Sequence, residues 1–101
     1  MALQITEVSG TFSVTGELNH STANILYRHM ERVIPTRNDR IVLNLERVRH
    51  IDESAAYRLQ ELYLNAVRSN SALAIIGQEN KVLLPVMSKT KTEYILSPDR
   101  I

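Results

Sequence analysis

Two compact apolar runs with a helical stretch between them constrain the fold of this chain more than any other feature. Ile41 to Leu45 is apolar apart from Asn44, and Ser71 to Gly77 repeats the pattern. Runs of this kind are typical of strands buried on both faces of a parallel sheet. Parallel strands need a crossover connection, usually a right-handed one through a helix. The sequence therefore predicts a strand–helix–strand unit.

The first third of the chain is predicted to form a hairpin and then a helix. Two short β-patterned stretches, broken at Ser9-Gly10, indicate a hairpin of edge strands that ends near Gly16. Apolar residues then recur at helical spacing from Ser21 to Ile34. Asn19 or Ser21 is the expected N-cap of this helix, and Pro35 is the expected stop.

The last half of the chain is predicted to contain two more helices and a final strand. The second helix follows Ser54 and ends at Ser69-Asn70. Asn80 is the expected cap of the third helix. Pro85 should make that helix short, kinked or late in starting, because proline lacks a backbone donor and clashes with the preceding turn. Tyr94 to Leu96 is interpreted as a closing extended segment.

These elements predict an α/β fold: a mixed, mainly parallel sheet of about four to five strands with helices packed against it. Residues 1–101 are expected to form a single domain, because 101 residues with 44% hydrophobic content suffice for one core.

The composition excludes several classes of function. A formal charge of +1, from 12 Lys+Arg and 11 Asp+Glu, gives no basic excess for binding nucleic acid. The absence of cysteine excludes disulfides, thiolate metal sites and thiol nucleophiles. No apolar run approaches the roughly 18 residues of a membrane span, and no signal-peptide pattern is present. We therefore expect a cytoplasmic protein without direct membrane insertion.

The run from Val48 to Ala55 carries the most specific chemistry of the sequence. It is predicted to be an acidic turn that places the Ser54 hydroxyl at a helix N-terminus, where unpaired N–H groups and the helix dipole favour anions. The loop from Arg47 to Ser54 also follows a strand, where ligands of open α/β sheets gather. Ser54 is either a phosphate carrier or an ordinary helix-start residue, with Asp52 as N-cap and Glu53 complementing the dipole.

Three segments, in their order and spacing, resemble the STAS domain, a family best known from bacterial anti-sigma factor antagonists. They are Thr15 to Ala23, Arg40 to Leu45 and Val48 to Ala55. In that family a leucine-aspartate-leucine strand precedes an aspartate-serine-serine-glycine turn, and a partner kinase phosphorylates the second serine. Ser54 matches that serine and Asp52 matches the aspartate, so the resemblance implies that Ser54 is the phosphoacceptor.

Four positions depart from the family pattern. Glu53 replaces the first serine and Ala55 replaces the glycine, while Asn44 and Asn19 each stand where the family has an aspartate. Two carboxylates near the expected partner surface are thus neutral amides, and one new carboxylate lies beside the serine. These positions bear directly on recognition by a kinase.

The resemblance implies a regulatory binding module, not an enzyme, that Ser54 phosphorylation switches in a partner-switching pathway. The dephosphorylated form would capture an anti-sigma factor and free the sigma factor. The implied partners are an anti-sigma factor that is a serine kinase with a histidine-kinase-like ATP-binding fold, and a serine phosphatase. The implied partner-binding residues are Asn19, His20, Ser21, Asn44, Asp52, Glu53, Ala55 and Arg58.

Two alternatives stay open. STAS modules also occur beside transporters, so the chain is alternatively an accessory subunit of a membrane transport system for lipids or anions and is not phosphorylated. A third reading is a structural adaptor in one fixed state, in which Glu53 supplies a standing negative charge.

One arginine and one histidine are expected near the predicted turn. Arg58 follows it by four residues on the same helical face, from which it would reach back to a phosphate. His20 lies in the loop that the family places near the phosphorylated turn. The three histidines have no ligand spacing with carboxylates, so no metal or other cofactor is predicted. No Gly-rich phosphate loop, nucleophile elbow or spaced Ser–His–Asp set points to an enzyme.

Overall fold

The chain reverses at Ser9 and Gly10, where both residues have positive φ angles of 50° and 84°. Consecutive positive φ angles are characteristic of the two-residue hairpin turns that match the twist of the flanking strands. The computed structural model describes residues 3–37 and 40–98. Within these residues the elements are β1 (Leu3–Val8), β2 (Thr11–Leu18), α1 (His20–Val33), a 3₁₀ turn (Ile34–Thr36), β3 (Ile41–Ile51), α2 (Glu53–Arg68), β4 (Leu73–Ile76), α3 (Leu83–Lys89) and a second 3₁₀ turn (Glu93–Ile95).

The strands of this part of the chain form a four-stranded mixed sheet in the order β1-β2-β3-β4. β1 and β2 are antiparallel, whereas β2 with β3 and β3 with β4 are parallel. The predicted mixed, mainly parallel α/β sheet is therefore confirmed, with four strands. The predicted hairpin is also present, but its description as two edge strands was wrong for β2, which lies between β1 and β3.

β2 continues past Gly16, near which it was predicted to end. Gly16 has a φ of 117°, and the register between β2 and β3 shifts between Gly16 and Glu17. Glycine tolerates this backbone conformation, so the strand absorbs the irregularity and runs on to Leu18. The glycine that suggested a strand end is an irregularity within a longer strand.

β3 is much longer than the predicted Ile41 to Leu45. It reaches Ile51 because β2 extends beside it, with Gly16 opposite Val48 and Leu18 opposite Ile51. The predicted loop from Arg47 to Ser54 is therefore wrong, since only Asp52 separates β3 from α2. The strand is also not buried on both faces: Leu43 and Leu45 are buried, while the alternate Val42 and Asn44 are half-buried.

α1 begins one residue earlier than predicted and ends at Val33, followed by the 3₁₀ turn that contains Pro35. α3 is short, as Pro85 predicted, and begins at Leu83. Val82 holds the N-cap position of α3 and makes no side-chain capping bond. Asn80 lies two residues earlier, where its Oδ1 accepts the Val82 backbone N–H at 3.0 Å. The predicted strand from Tyr94 to Leu96 is wrong: the 3₁₀ turn occupies most of it, and Leu96 makes a single bridge to Ile75.

One hydrophobic core joins the sheet to the helices. Its largest fully buried side chains come from all three helices, from β2, β3 and β4, and from the second 3₁₀ turn. They are Phe12, Leu18, Leu26, Met30, Leu43, Leu45, Leu59, Leu62, Ile75, Leu83, Met87 and Ile95. This core fixes the carboxyl ends of β2 and β3, and therefore the starts of α1 and α2, relative to one another.

Candidate functional site

The carboxyl ends of β2 and β3 lie side by side and position the candidate site. Leu18 pairs with Ile51 in the parallel register, and the Asp52 backbone N–H donates to the Leu18 carbonyl at 3.1 Å. α1 begins two residues after Leu18 and α2 two residues after Ile51. The two helix N-termini are therefore neighbours at the sheet edge where ligands of α/β folds gather.

Asn19 is the N-cap of α1, which decides between the two predicted candidates. Its Oδ1 accepts the backbone N–H groups of Ser21 and Thr22, each at 3.0 Å. The Thr22 hydroxyl accepts the Asn19 backbone N–H at 2.8 Å and donates to the Glu17 carbonyl at 2.7 Å. This reciprocal capping box fixes the path of the chain between β2 and α1.

Asp52 is the N-cap of α2, as the helix-start reading of the sequence predicted. Its Oδ1 accepts the Ala55 backbone N–H at 2.8 Å. Ala55 is fully buried, so its methyl group packs inside the domain and offers no surface to a partner. Glu53 and Ser54, the first two residues of α2, are both exposed.

The Ser54 hydroxyl faces the start of α1. Its Oγ lies 3.2 Å from His20 Nδ1, and the imidazole tautomer decides which of the two atoms donates. Both residues line an open recess of about 450 Å³, together with Asn24, Tyr57, Arg58 and Glu61. The sequence pattern pointed to His20 and Arg58 but not to Asn24, Tyr57 or Glu61. Helical spacing was the available signal, because Asn24 follows His20 by one turn and Tyr57 and Glu61 continue the Ser54 face.

Arg58 lines the same recess, and its guanidinium contacts Tyr27 and Glu61. The guanidinium carbon lies 3.8 Å from the centre of the Tyr27 ring, and NH1 donates to Glu61 Oε2 at 3.1 Å. The Nε atom is buried and has no hydrogen-bond partner among the described residues. A contact between Arg58 and a group on Ser54 would have to give up part of this packing.

Glu53 forms an ion pair with α3 that the sequence did not reveal. Its Oε2 lies 2.8 Å from Lys89 Nζ, and this hydrogen bond raises the pKa of the Lys89 ammonium above its usual value. Both side chains are exposed, so the pair contributes little stability. It nevertheless turns the carboxylate next to Ser54 toward a compensating charge on α3.

Of the two remaining predicted residues, Asn44 lies apart from this cluster and Ser21 lies beside it. Asn44 lies well inside β3, where its Oδ1 accepts the Glu46 backbone N–H at 2.9 Å. Roughly 20 Å of strand separate it from the carboxyl end at Ile51. Ser21 is exposed in the first turn of α1. The structure thus brings together Asn19, His20, Ser21, Asp52, Glu53, Ser54 and Arg58, but not Asn44.

Residues 3–37 and 40–98 contain no group of three or more His, Asp or Glu side chains that could hold a metal ion. None of the helices in these segments combines the length and apolar character that crossing a membrane requires.

Comparisons with known proteins place the fold. A model of the STAS domain family matches residues 1–93. A comparison of the sequence with curated proteins found no match. Among solved structures, the unphosphorylated anti-sigma factor antagonist SpoIIAA is similar with a TM-score of 0.70 and 16% identity, over 95% of this chain and 86% of that one.

Two further structures have the same fold. An anti-sigma factor antagonist from Mycobacterium paratuberculosis aligns with a TM-score of 0.73 and 17% identity, over 97% of this chain and 86% of that one. The STAS domain of an antisigma-factor antagonist from Rhodobacter sphaeroides aligns with a TM-score of 0.64 and 22% identity, over 78% of this chain and 90% of that one.

Proposed function

Because the chain belongs to the STAS domain family, we propose that it is a regulatory binding module of the anti-sigma factor antagonist kind, switched by phosphorylation of Ser54. The dephosphorylated form binds an anti-sigma factor, and the phosphorylated form releases it. The proposed partners are an anti-sigma factor that is also a serine kinase with a histidine-kinase-like ATP-binding fold, and a serine phosphatase that reverses the modification.

The observation that best supports this proposal is the exposed Ser54 hydroxyl in the first turn of α2, beside the start of α1. Asp52 caps this first turn of α2, and Ser54 is exposed within it. A kinase can therefore reach the hydroxyl while the helix start stays folded. Transfer of the γ-phosphoryl group of ATP forms an O–P bond at Oγ, releases the hydroxyl proton and leaves ADP. The product adds about −1.5 to −2 charges to the surface.

The surface around Ser54 has features suited to a protein partner. Tyr57 lines the recess with 49% of its surface exposed. Exposed aromatic side chains are frequent anchors in protein interfaces. A phosphate on Ser54, one helical turn from Tyr57, would add charge to an interface centred there. Desolvating that charge would oppose binding, which is the direction that the proposed switch requires.

The test is phosphorylation by a candidate kinase, chosen from the histidine-kinase-like serine kinases encoded near its gene. The protein is incubated with kinase and ATP, and phosphate is located by mass spectrometry. We expect phosphate on Ser54, none on the Ser54→Ala variant, and unchanged modification of Ser69→Ala, the matched variant of an exposed serine at the other end of α2. Phosphate elsewhere with Ser54 unmodified would contradict the proposal.

The same experiment separates the alternative functions. An unmodified Ser54, together with co-purification of a transport ATPase from the native host, would favour the accessory subunit of a lipid or anion transport system. The structural adaptor is the other alternative, and the observation that bears on it is the exposed Glu53 carboxylate, which is paired with Lys89.

A further inference from the structure

The starts of α1 and α2 already carry their own caps. Asn19 accepts the N–H groups of Ser21 and Thr22, and Asp52 accepts the N–H of Ala55. A phosphate on Ser54 would have to compete with the Asp52 carboxylate for the donors of the same helix start. One of the N–H donors that would attract an anion to the start of α2 is therefore already bonded to the Asp52 carboxylate in the unmodified protein.

The charged side chains around Ser54 are also largely committed. Arg58 is stacked on Tyr27 and paired with Glu61, and Glu53 is paired with Lys89. The Arg58 Nε has no hydrogen-bond partner among the described residues, but it is buried and so is not open to a phosphate. By contrast, the His20 imidazole already contacts the Ser54 hydroxyl, at 3.2 Å between Nδ1 and Oγ. It is therefore placed to meet a phosphate on Oγ without leaving another partner among those described.

We propose that the His20 imidazole binds the phosphate of phosphorylated Ser54 and so ties the start of α1 to the start of α2. This inference rests on the proposed phosphorylation of Ser54. A phosphate oxygen accepts a hydrogen bond from an imidazole N–H, and a bond to an anionic acceptor is stronger than one to a neutral hydroxyl. This charge-assisted hydrogen bond joins the same two helix starts that the contact between His20 and the Ser54 hydroxyl links in the unmodified protein. His20, rather than Arg58, is thus the residue that reads the modification.

The experiment supplies the phosphate without a kinase. Phosphoserine is incorporated at position 54 during translation, in the wild-type chain and in the His20→Gln, His29→Gln and Arg58→Gln variants. His29→Gln is the matched control, because His29 is an exposed histidine nine residues further along α1, about 13 Å away. Each phosphorylated protein is compared with its own unmodified form in thermal denaturation, and its phosphate signal is recorded by ³¹P NMR.

We expect phosphorylation to raise the melting temperature of the His20→Gln variant by about 3–5 °C less than that of the wild-type chain. His29→Gln and Arg58→Gln should show the wild-type response. The ³¹P shift should differ from wild type only in His20→Gln, and the imidazole ¹⁵N signals of His20 in the wild-type chain should move when the phosphate is present. A His20→Lys variant should recover part of the phosphate-dependent gain, since it supplies a cationic donor at that position.

An equal gain in wild-type and His20→Gln proteins, with unchanged His20 ring signals, would overturn the inference. A loss confined to Arg58→Gln would overturn it too and would assign the phosphate to Arg58. Since His20 is exposed, we expect its variants to fold, and the ring signals of the wild-type chain provide a test that needs no substitution. Failure of every kinase to modify Ser54 would instead count against the proposed function.

Discussion

The guanidinium of Arg58 on α2 stacks against the ring of Tyr27 on α1, with 3.8 Å between the guanidinium carbon and the ring centre. The Tyr27 hydroxyl in turn accepts a hydrogen bond from Asn65. This contact joins the two helices beside the recess that contains Ser54. We expect Arg58→Gln to lower the free energy of unfolding by about 0.5–2 kcal/mol, mainly through the lost cation–π contact. Urea denaturation measures the loss.

Two further variants test the cause of that loss. Arg58→Lys keeps the charge but lacks the flat guanidinium, so it should recover only part of the stability. Arg28→Gln changes an exposed arginine of α1 and should alter stability by less than about 0.5 kcal/mol. Equal losses in Arg28→Gln and Arg58→Gln would show that general surface charge, not stacking on Tyr27, is responsible.

The capping box at the start of α1 leads to a second prediction. Asn19→Ala removes the acceptor for two backbone N–H groups and should cost about 1 kcal/mol. Asn19→Asp should retain the cap, because a carboxylate accepts the same bonds and complements the helix dipole. Chemical denaturation of both variants, with Asn24→Ala inside α1 as control, distinguishes capping from a general effect of removing an amide. A loss in Asn19→Asp as large as in Asn19→Ala would contradict this account.

The parts of the fold set by local pattern were predictable. The apolar runs at Ile41 and Leu73 identified two parallel strands, and the stripe beginning at Ala55 identified α2. Asp52 was recognised as a cap because its chemistry acts over three residues. These features depend on neighbours in sequence, which a single sequence contains.

The errors arise where distant segments decide the outcome. β3 continues to Ile51 because β2 runs beside it, and no local feature of residues 46–51 indicates that support. The position of Arg58 depends in the same way on Tyr27, which lies in another helix. The Glu53–Lys89 pair likewise needs α3 to be placed before it can be found. The sequence thus pointed to the candidate site, but not to the contacts between its residues.

An ion pair beside the turn between β1 and β2 should make the stability of the fold depend on pH in the acid range. Arg37 donates to Glu7 at 3.0 Å, and this hydrogen bond holds the pKa of the Glu7 carboxyl below its usual value of 4.5. A carboxyl with a lowered folded-state pKa contributes stability that is present above its unfolded pKa and is lost as pH falls through its folded pKa. The melting temperature of Glu7→Gln should therefore decline less than that of the wild-type protein below about pH 4.5.

High salt provides the check on that interpretation. Both side chains are exposed, so added salt should screen the pair and reduce the difference between wild type and Glu7→Gln. Glu31→Gln, an exposed carboxylate on α1, is the control and should follow the wild-type profile more closely. Parallel pH profiles for wild type and Glu7→Gln would rule out a contribution from this pair.

The Asn80 side chain bonds to β3 carbonyls that lie beyond the end of its pairing with β4. The pairing of β3 with β4 ends at Asn44 and Ile76, and beyond it the buried Asn80 amide donates to the Leu45 and Val48 carbonyls, each at 2.9 Å. Asn80→Ala leaves both carbonyls without these bonds, so we expect a loss of about 2–4 kcal/mol in urea denaturation. Asn80→Asp should be comparably destabilised at neutral pH, because a carboxylate cannot donate. Gln78→Ala changes an exposed side chain two residues earlier and should alter stability by less than about 0.5 kcal/mol. A loss below 1 kcal/mol in Asn80→Ala would mean that water replaces the amide at no great cost.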